Sequence, residues 1–337
     1  MHIIISRLKE GQSFYEKEIL VDNIGCFSLL HCLNIYWNQT IVVRTYVHSN
    51  KDVPEPFDGY RIVQLTDIHS VRSIKQGKLI YAKTAAQKPD VICITGDLVD
   101  SRYYAEHGIE GEKLTLLLLE ELVQLAPVYF VYGNHEMILL DDPQRNAFKI
   151  ALEEMGVHLI NNEKVYILAA EDDNYEEGQK GHAGIQEVDT HNSNGEETAH
   201  IILAGIQDPS TLYKDYQFAY LSNNGERMEA MLDTVTEGIG NEDFTLLLSH
   251  RPEYLEMYDQ YPVDLCLTGH AHGGQFRLPF IGGIYAPGQG FLPKYTFGLY
   301  ETEDLEMYVG TGIGNSLIPV RVFNPPEIIT VVLECGE

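Results

Sequence analysis

From residue 60 onward, short apolar runs alternate with turn residues and longer helical patterns. Residues 61–66 (RIVQLT), 91–95 (VICIT), 127–132 (PVYFVY), 244–249 (FTLLLS) and 264–268 (DLCLT) are short and dominated by apolar residues. That is the pattern of strands covered on both faces. Residues 40–48 (TIVVRTYVH) read as a further strand, and Pro54 and Pro56 break the chain after it. Helix-like stretches follow at 74–87, 112–125 and 143–155. Strands alternating with helices predict an α/β architecture around buried sheet. Residues 165–169 and 201–206 read as a hairpin split by 171–199. That segment has nine acidic residues, one Lys and few apolar positions, so it is expected to be a solvated, mobile insertion.

The residues that end these strands carry the chemistry. The five runs end in Asp67-Ile68-His69, Gly96-Asp97, Gly133-Asn134-His135, His250 and Gly269-His270-Ala271-His272. Ligands of open α/β sheets gather outside the carboxyl ends of the strands, so these clusters are expected to meet in one crevice. In extended backbone, Asp67/His69 and His270/His272 would each project to one side, and Asn134 and His135 to opposite sides. The three glycines suit sharp exits from the strands. Mixed nitrogen and oxygen donors without thiolate suit Mn, Fe or Zn. Seven donors exceed what one tetrahedral ion takes, and fit two ions sharing a carboxylate with positions left for water and substrate.

Charge and composition narrow the partners. The 337 residues include 23 basic and 50 acidic ones, a net of −27. That disfavours a broad nucleic-acid-binding face, and means that something cationic must receive an anionic substrate. The five Cys form no CxxC pair, and Cys93 and Cys266 lie in strand-like runs. Packed, reduced thiols and a cytoplasmic location are expected. Residues 24–37 (IGCFSLLHCLNIYW) are apolar, but a membrane span needs about 20 such residues. The N-terminal extension 1–37 is therefore read as packing on the domain or lying at an interface, with peripheral membrane association kept open.

The five clusters resemble the calcineurin-like metallophosphoesterase superfamily, whose pattern is D-x-H, G-D-x-x-D, G-N-H-D/E, a lone His, and G-H-x-H. Here these stand as Asp67–His69, Gly96–Asp100, Gly133–Glu136, His250 and Gly269–His272. A narrower likeness, to a bacterial cell-envelope phosphodiesterase branch, rests on FDGYRIVQLTDIH (57–69), ILAGIQDPS (202–210), GHAHGGQFRLP (269–279) and YAPGQGFLPKYTFGLY (285–300). The resemblance implies two packed mixed β-sheets flanked by helices, over a catalytic domain of residues 38–337. It implies two divalent ions per chain (Mn, Fe, Zn, Ni or Co). Asp67, His69 and His272 would hold one ion; Asn134, His250 and His270 would hold the other; Asp97 would bridge. His135 would be the catalytic acid, oriented by Asp100.

The expected reaction is hydrolysis of a phosphate ester, foremost a phosphodiester, by a hydroxide shared between the ions. A monoesterase or pyrophosphohydrolase acting on a nucleotide or lipid headgroup is the alternative enzyme. A scaffold that has lost catalysis is the alternative outside enzymes. Arg102, Lys294 and Arg321 are candidate substrate contacts, Asp208 a candidate support for the ligands, and the loop from His272 to Pro293 a candidate substrate wall.

Overall fold

The computed structural model describes residues 40–138, 142–169, 185–186, 198–210, 223–315 and 320–336. The segment 24–37 and most of the acidic insertion lie outside them. Among the described residues, no helix is long and apolar enough to cross a membrane.

Two mixed sheets pack face to face. The first holds β1 (Val42–Asn50), β2 (Arg61–Leu65), β3 (Val91–Thr95), β4 (Val128–Val131) and β5 (Val157–Leu159). The second holds β6 (Glu163–Leu168), β7 (Ile185–Gln186), β8 (His200–Gly205), β9 (Thr245–Leu248) and β10 (Leu265–Thr268). Two small hairpins follow β10: β11 (Arg277–Leu278) with β12 (Gly282–Gly283), and β13 (Tyr285–Ala286) with β14 (Gly290–Phe291). The chain then adds β15 (Gly298–Glu301) and β16 (Glu306–Val309) to the second sheet, and β17 (Glu327–Cys335) to the first. The strand orders are β1-β17-β2-β3-β4-β5 and β15-β16-β10-β9-β8-β6-β7.

Alternation along the strands sorts side chains into layers. Ile62, Val91, Cys93, Tyr129 and Val131 meet Leu203, Leu246, Leu248, Leu265 and Leu267 between the sheets. Their neighbours Val63, Ile92, Ile94, Val128 and Phe130 face the other way, against Ile80, Leu118, Leu122 and Phe148. These come from the helices Ile74–Ala85, Lys113–Leu122 and Asp142–Glu154. On the far side, Leu247 and Cys266 pack on Met228, Leu232 and Val235 of the helix Asn224–Thr236. The predicted hairpin is present as antiparallel β6 and β8.

Among the described residues, two helices of more than ten residues were not predicted. Asn224–Thr236 has a narrow apolar stripe in a polar stretch. Ser101–Gly111 (SRYYAEHGIEG) contains two glycines, and Gly108 leaves helical geometry. Strands β2, β3 and β4 run parallel to one another, as do β9 and β10. Their carboxyl ends share one edge, tied by the Gln64 amide, which donates to the Thr268 carbonyl and Thr95 hydroxyl at 2.8 Å each.

Candidate metal centre

The backbone leaves that edge by left-handed turns. Asp67, His69, Asp97, His270 and His272 have φ between 46° and 62°. The i, i+2 pairs are therefore not extended, which corrects the sequence expectation: each pair is aimed by positive-φ residues that interstrand bonds hold in place. The Asp67 amide donates to Gly96 O (3.1 Å), and the His69 amide to Asp97 O (3.0 Å). The glycines serve two different needs. Gly96 meets both, with φ +91° and no room for a side chain against His250 and Gly133, while Gly133 and Gly269 lack room against Asp97 and against Thr66 with Asp67. Asn134 opens the short helix Asn134–Ile138, so helical rotation of about 100° per residue, not strand alternation, separates it from His135.

Two buried triads result: Asp67, His69 and His272, and Asp97, His250 and His270. Ring nitrogens converge within each, His69 Nε2 to His272 Nε2 at 3.0 Å and His270 Nδ1 to His250 Nε2 at 3.1 Å. Asp67 Oδ1 is 3.3 Å from His272 Nε2. Asn134 Oδ1 lies 3.2 Å from His250 Nε2. Asp97 stands between the triads, its Oδ2 3.3 Å from His250 Nε2 and 3.8 Å from His69 Nε2. His135 Nε2 is 4.0 Å from the same oxygen.

The surroundings fix which atoms face inward. Asp67 Oδ2 accepts from the Thr66 hydroxyl (2.8 Å) and the His270 amide (3.0 Å), while buried Oδ1 has no hydrogen-bond partner. Such an orphaned oxygen is what a cation would satisfy. His250 Nδ1 donates to the Thr95 carbonyl at 2.7 Å, which points Nε2 toward the cluster. Burial lowers the pKa of His69 and His270, and takes His272 down to about 4, so these rings are neutral and able to ligate. Burial opposes charge on His250 too, but contact with Asp97 outweighs it and lifts the ring to about 10, so a cation at this triad must displace the proton from Nε2. Burial likewise opposes ionisation of Asp97, yet His250 and His135 hold it well below the usual carboxylate range. The donor set therefore fits divalent cations: two carboxylates, an amide oxygen and four imidazoles.

The sequence profile of the calcineurin-like phosphoesterase family matches residues 60–274. The chain belongs to that family. It is a hydrolase acting on phosphoester bonds, and its His/Asp clusters suit a binuclear metal site. It is 28% identical over 297 residues to the metallophosphoesterase YkuE of Bacillus subtilis, covering 87% of this chain and 86% of YkuE. It is 24% identical over 309 residues to the phosphodiesterase YaeI of Escherichia coli, covering 91% and 92%. A zebrafish transmembrane protein with a metallophosphoesterase domain is 28% identical over 291 residues, covering 84% of this chain and 55% of that protein.

Other parts of this phosphoesterase depart from expectation. The partner of His135 Nδ1 is Ser101, whose amide lies at 3.2 Å and hydroxyl at 2.9 Å. Asp100 instead caps the helix Ser101–Gly111, accepting from the amides of Arg102 and Tyr103. Burial works against its charge, but the Arg102 guanidinium keeps Asp100 below the usual range. Arg102 is thereby engaged, and Lys294 pairs with Glu256 at 2.8 Å. Arg321 is buried and donates to the carbonyls of Thr311, Gly312, Gly314 and Asn324. It is a clamp on the backbone rather than a substrate contact. Asp208 pairs with Arg251, which adjoins His250 in sequence.

Glu136 has a larger structural role than its place in the motif suggests. Its carboxylate accepts from the amides of Asp97 (3.0 Å), Val99 (3.1 Å) and Gly133 (2.9 Å), locking two ligand loops together. Burial, with Asp97 nearby, pushes it up to about 8. The sequence signal is that this acid follows His135 directly.

Two outcomes are expected. Arg321→Met strands several buried carbonyls and should cost about 3 kcal/mol or more in urea unfolding. Gly314 donates to Asp67 O, and Asn324 to His272 O, so calorimetric metal titration should show the ion at Asp67 weakened more than the other. Equal weakening would place the clamp's influence elsewhere. Asp97→Asn should lower metal content at both triads, measured by elemental analysis, whereas His69→Ala should empty chiefly one.

Proposed function

We propose that this phosphoesterase cleaves phosphodiesters with two divalent ions, one held by Asp67, His69 and His272 and the other by Asn134, His250 and His270, with Asp97 shared. The observation that carries the proposal is the pair of buried triads joined at Asp97. The diester preference rests on similarity to YaeI, which is named a phosphodiesterase. Bound ions would acidify water near neutral pH and neutralise the phosphoryl oxygens, which is how a chain of net charge −27 receives an anion. Buried Cys93 and Cys266 thiols support placing the protein in a reducing compartment such as the cytoplasm.

The protein's own groups supply position and a proton. The Thr66 hydroxyl and His270 amide occupy one oxygen of Asp67, so that the other points inward. The Thr95 carbonyl fixes the tautomer of His250. A backbone N–H only donates, so the Ser101 amide requires Nδ1 of His135 to accept and leaves the proton on Nε2. That nitrogen faces the cluster, beside Asp97 Oδ2. We assign His135 as the general acid that protonates the leaving oxygen. Asp100 positions it indirectly, by capping the helix that begins at Ser101.

The test is hydrolysis of generic mono- and diesters by metal-stripped protein, with Mn, Zn, Fe, Ni, Co and Mg returned separately. Diester turnover should recover with a transition ion. No metal-dependent hydrolysis at full metal loading would favour a scaffold. His135→Asn should keep both ions and lower turnover by about 10²–10⁴-fold, less for a nitrophenyl diester whose leaving group needs little protonation. Unchanged turnover on a poor leaving group would remove His135 from the chemistry.

A further inference from the structure

The hairpins that follow β10 expose apolar surface that ester hydrolysis does not require. Twelve large apolar side chains are exposed among the described residues, and six fall between 278 and 292: Leu278, Phe280, Ile281, Tyr285, Phe291 and Leu292. Phe280 is 107% exposed and Phe291 80%. Phe280 and Leu292 also hold φ of 67° and 53°, a conformation that bulky residues adopt only when the surrounding fold imposes it. Exposed apolar side chains concentrated in one short segment mark an interaction surface.

Charge points to the occupant. Residues 265–300 contain no Asp or Glu, and their charged side chains are Arg277 and Lys294. With 50 acidic residues in 337, a stretch of that length at the chain's average would carry about five. Acidic charge is thus sparse on these hairpins, where Glu256 is neutralised by Lys294, whereas it would hold most of the rest of this protein off an anionic surface. Lys294 is already paired with Glu256, and Arg277 lies over the Phe297 ring at 4.2 Å. Attraction there must come mainly from apolar contact.

The hairpins are also fastened to the metal centre. The Ile284 amide donates to the carbonyl of Gly274 at 3.0 Å, two residues after His272. Gly288, in the second hairpin, packs against Glu253 and Arg251 on the His250 side.

We infer that β11–β12 and β13–β14 form a docking surface for an anionic lipid bilayer, with Phe280, Phe291 and Leu292 entering the headgroup–acyl boundary. Docking turns the carboxyl edge of the sheets, and so the metal centre, toward the headgroup layer. The surface is defined by exposure and charge, and stands whether or not the substrate is a diester.

The experiment is co-sedimentation of the full chain with phosphatidylcholine–phosphatidylglycerol vesicles. Wild type should bind, and moderate salt should weaken binding only slightly. Phe280→Ser with Phe291→Ser should lower partitioning by about tenfold or more while leaving metal content and the thermal unfolding midpoint unchanged. A gain-of-signal variant guards against misfolding: Phe280→Trp with Trp37→Phe leaves one Trp, whose emission should shift to the blue on vesicle addition. Vesicle binding by the double-Ser variant equal to wild type would overturn the inference and shift the contact to another segment, such as residues 24–37. It would also be overturned by a dimer that the double-Ser variant dissolves while neither protein binds vesicles, which would make this a face between copies.

Discussion

The whole centre depends on holding five side-chain-bearing residues in a left-handed backbone conformation. Asp67, His69, Asp97, His270 and His272 each take it, at a cost of about 1–3 kcal/mol apiece. Such strain persists only where neighbours over-determine it. Here they do so by backbone bonds between successive loops, by the three amides gathered on Glu136, and by the Arg321 guanidinium behind the Asp67 turn. The scaffold is rigid at the edge where the chain would otherwise be most free to relax.

That rigidity explains how hydrophobic packing and polar chemistry coexist in one place. The two sheets meet through an apolar layer that ends where β2, β3, β9 and β10 end. Beyond it, Gln64 and His250 carry the contact across as hydrogen bonds to Thr268 and Thr95. Donor atoms that would be costly to bury alone are buried as a set, and Asp67 and His250 each have one side satisfied and the other turned to the shared space.

Much of this was legible in the sequence. The buried strands announced themselves as short apolar runs, and the residues that end them are the ones the fold brings together. Local geometry was less legible. Alternation in an extended strand predicted the right convergence of Asp67 with His69 and of His270 with His272, but positive φ produces it. No sequence pattern distinguishes those cases, because side chains, not just glycine, occupy the turns. The partner of His135 was misread for a related reason. Asp100 bears the expected charge, yet a helix cap already claims its oxygens, and the amide of the next residue reaches the ring. Arg321 was a candidate substrate contact because the sequence shows its charge but not where the fold carries it. The four carbonyls that engage it are invisible in side-chain identities.

The place of β17 bears on how the chain comes to fold. It lies between β1, to which it runs parallel, and β2, to which it runs antiparallel. β1 and β2, consecutive strands among the described residues, are thus not neighbours, and the first sheet cannot close until residues 327–335 have been synthesised. Until then β1 and β2 each present an unpaired edge, and Glu327 is not yet there to meet Arg44. Pairings so distant in sequence form slowly, and such open edges are where nascent chains associate with one another. The ligand loops after β2, β3 and β4 are complete early in synthesis, but the wall behind Asp67, built from residues 311–315 and 320–324, arrives only after all of the ligands. Assembly of the metal centre is in this sense a late event, timed by the strand that closes the sheet.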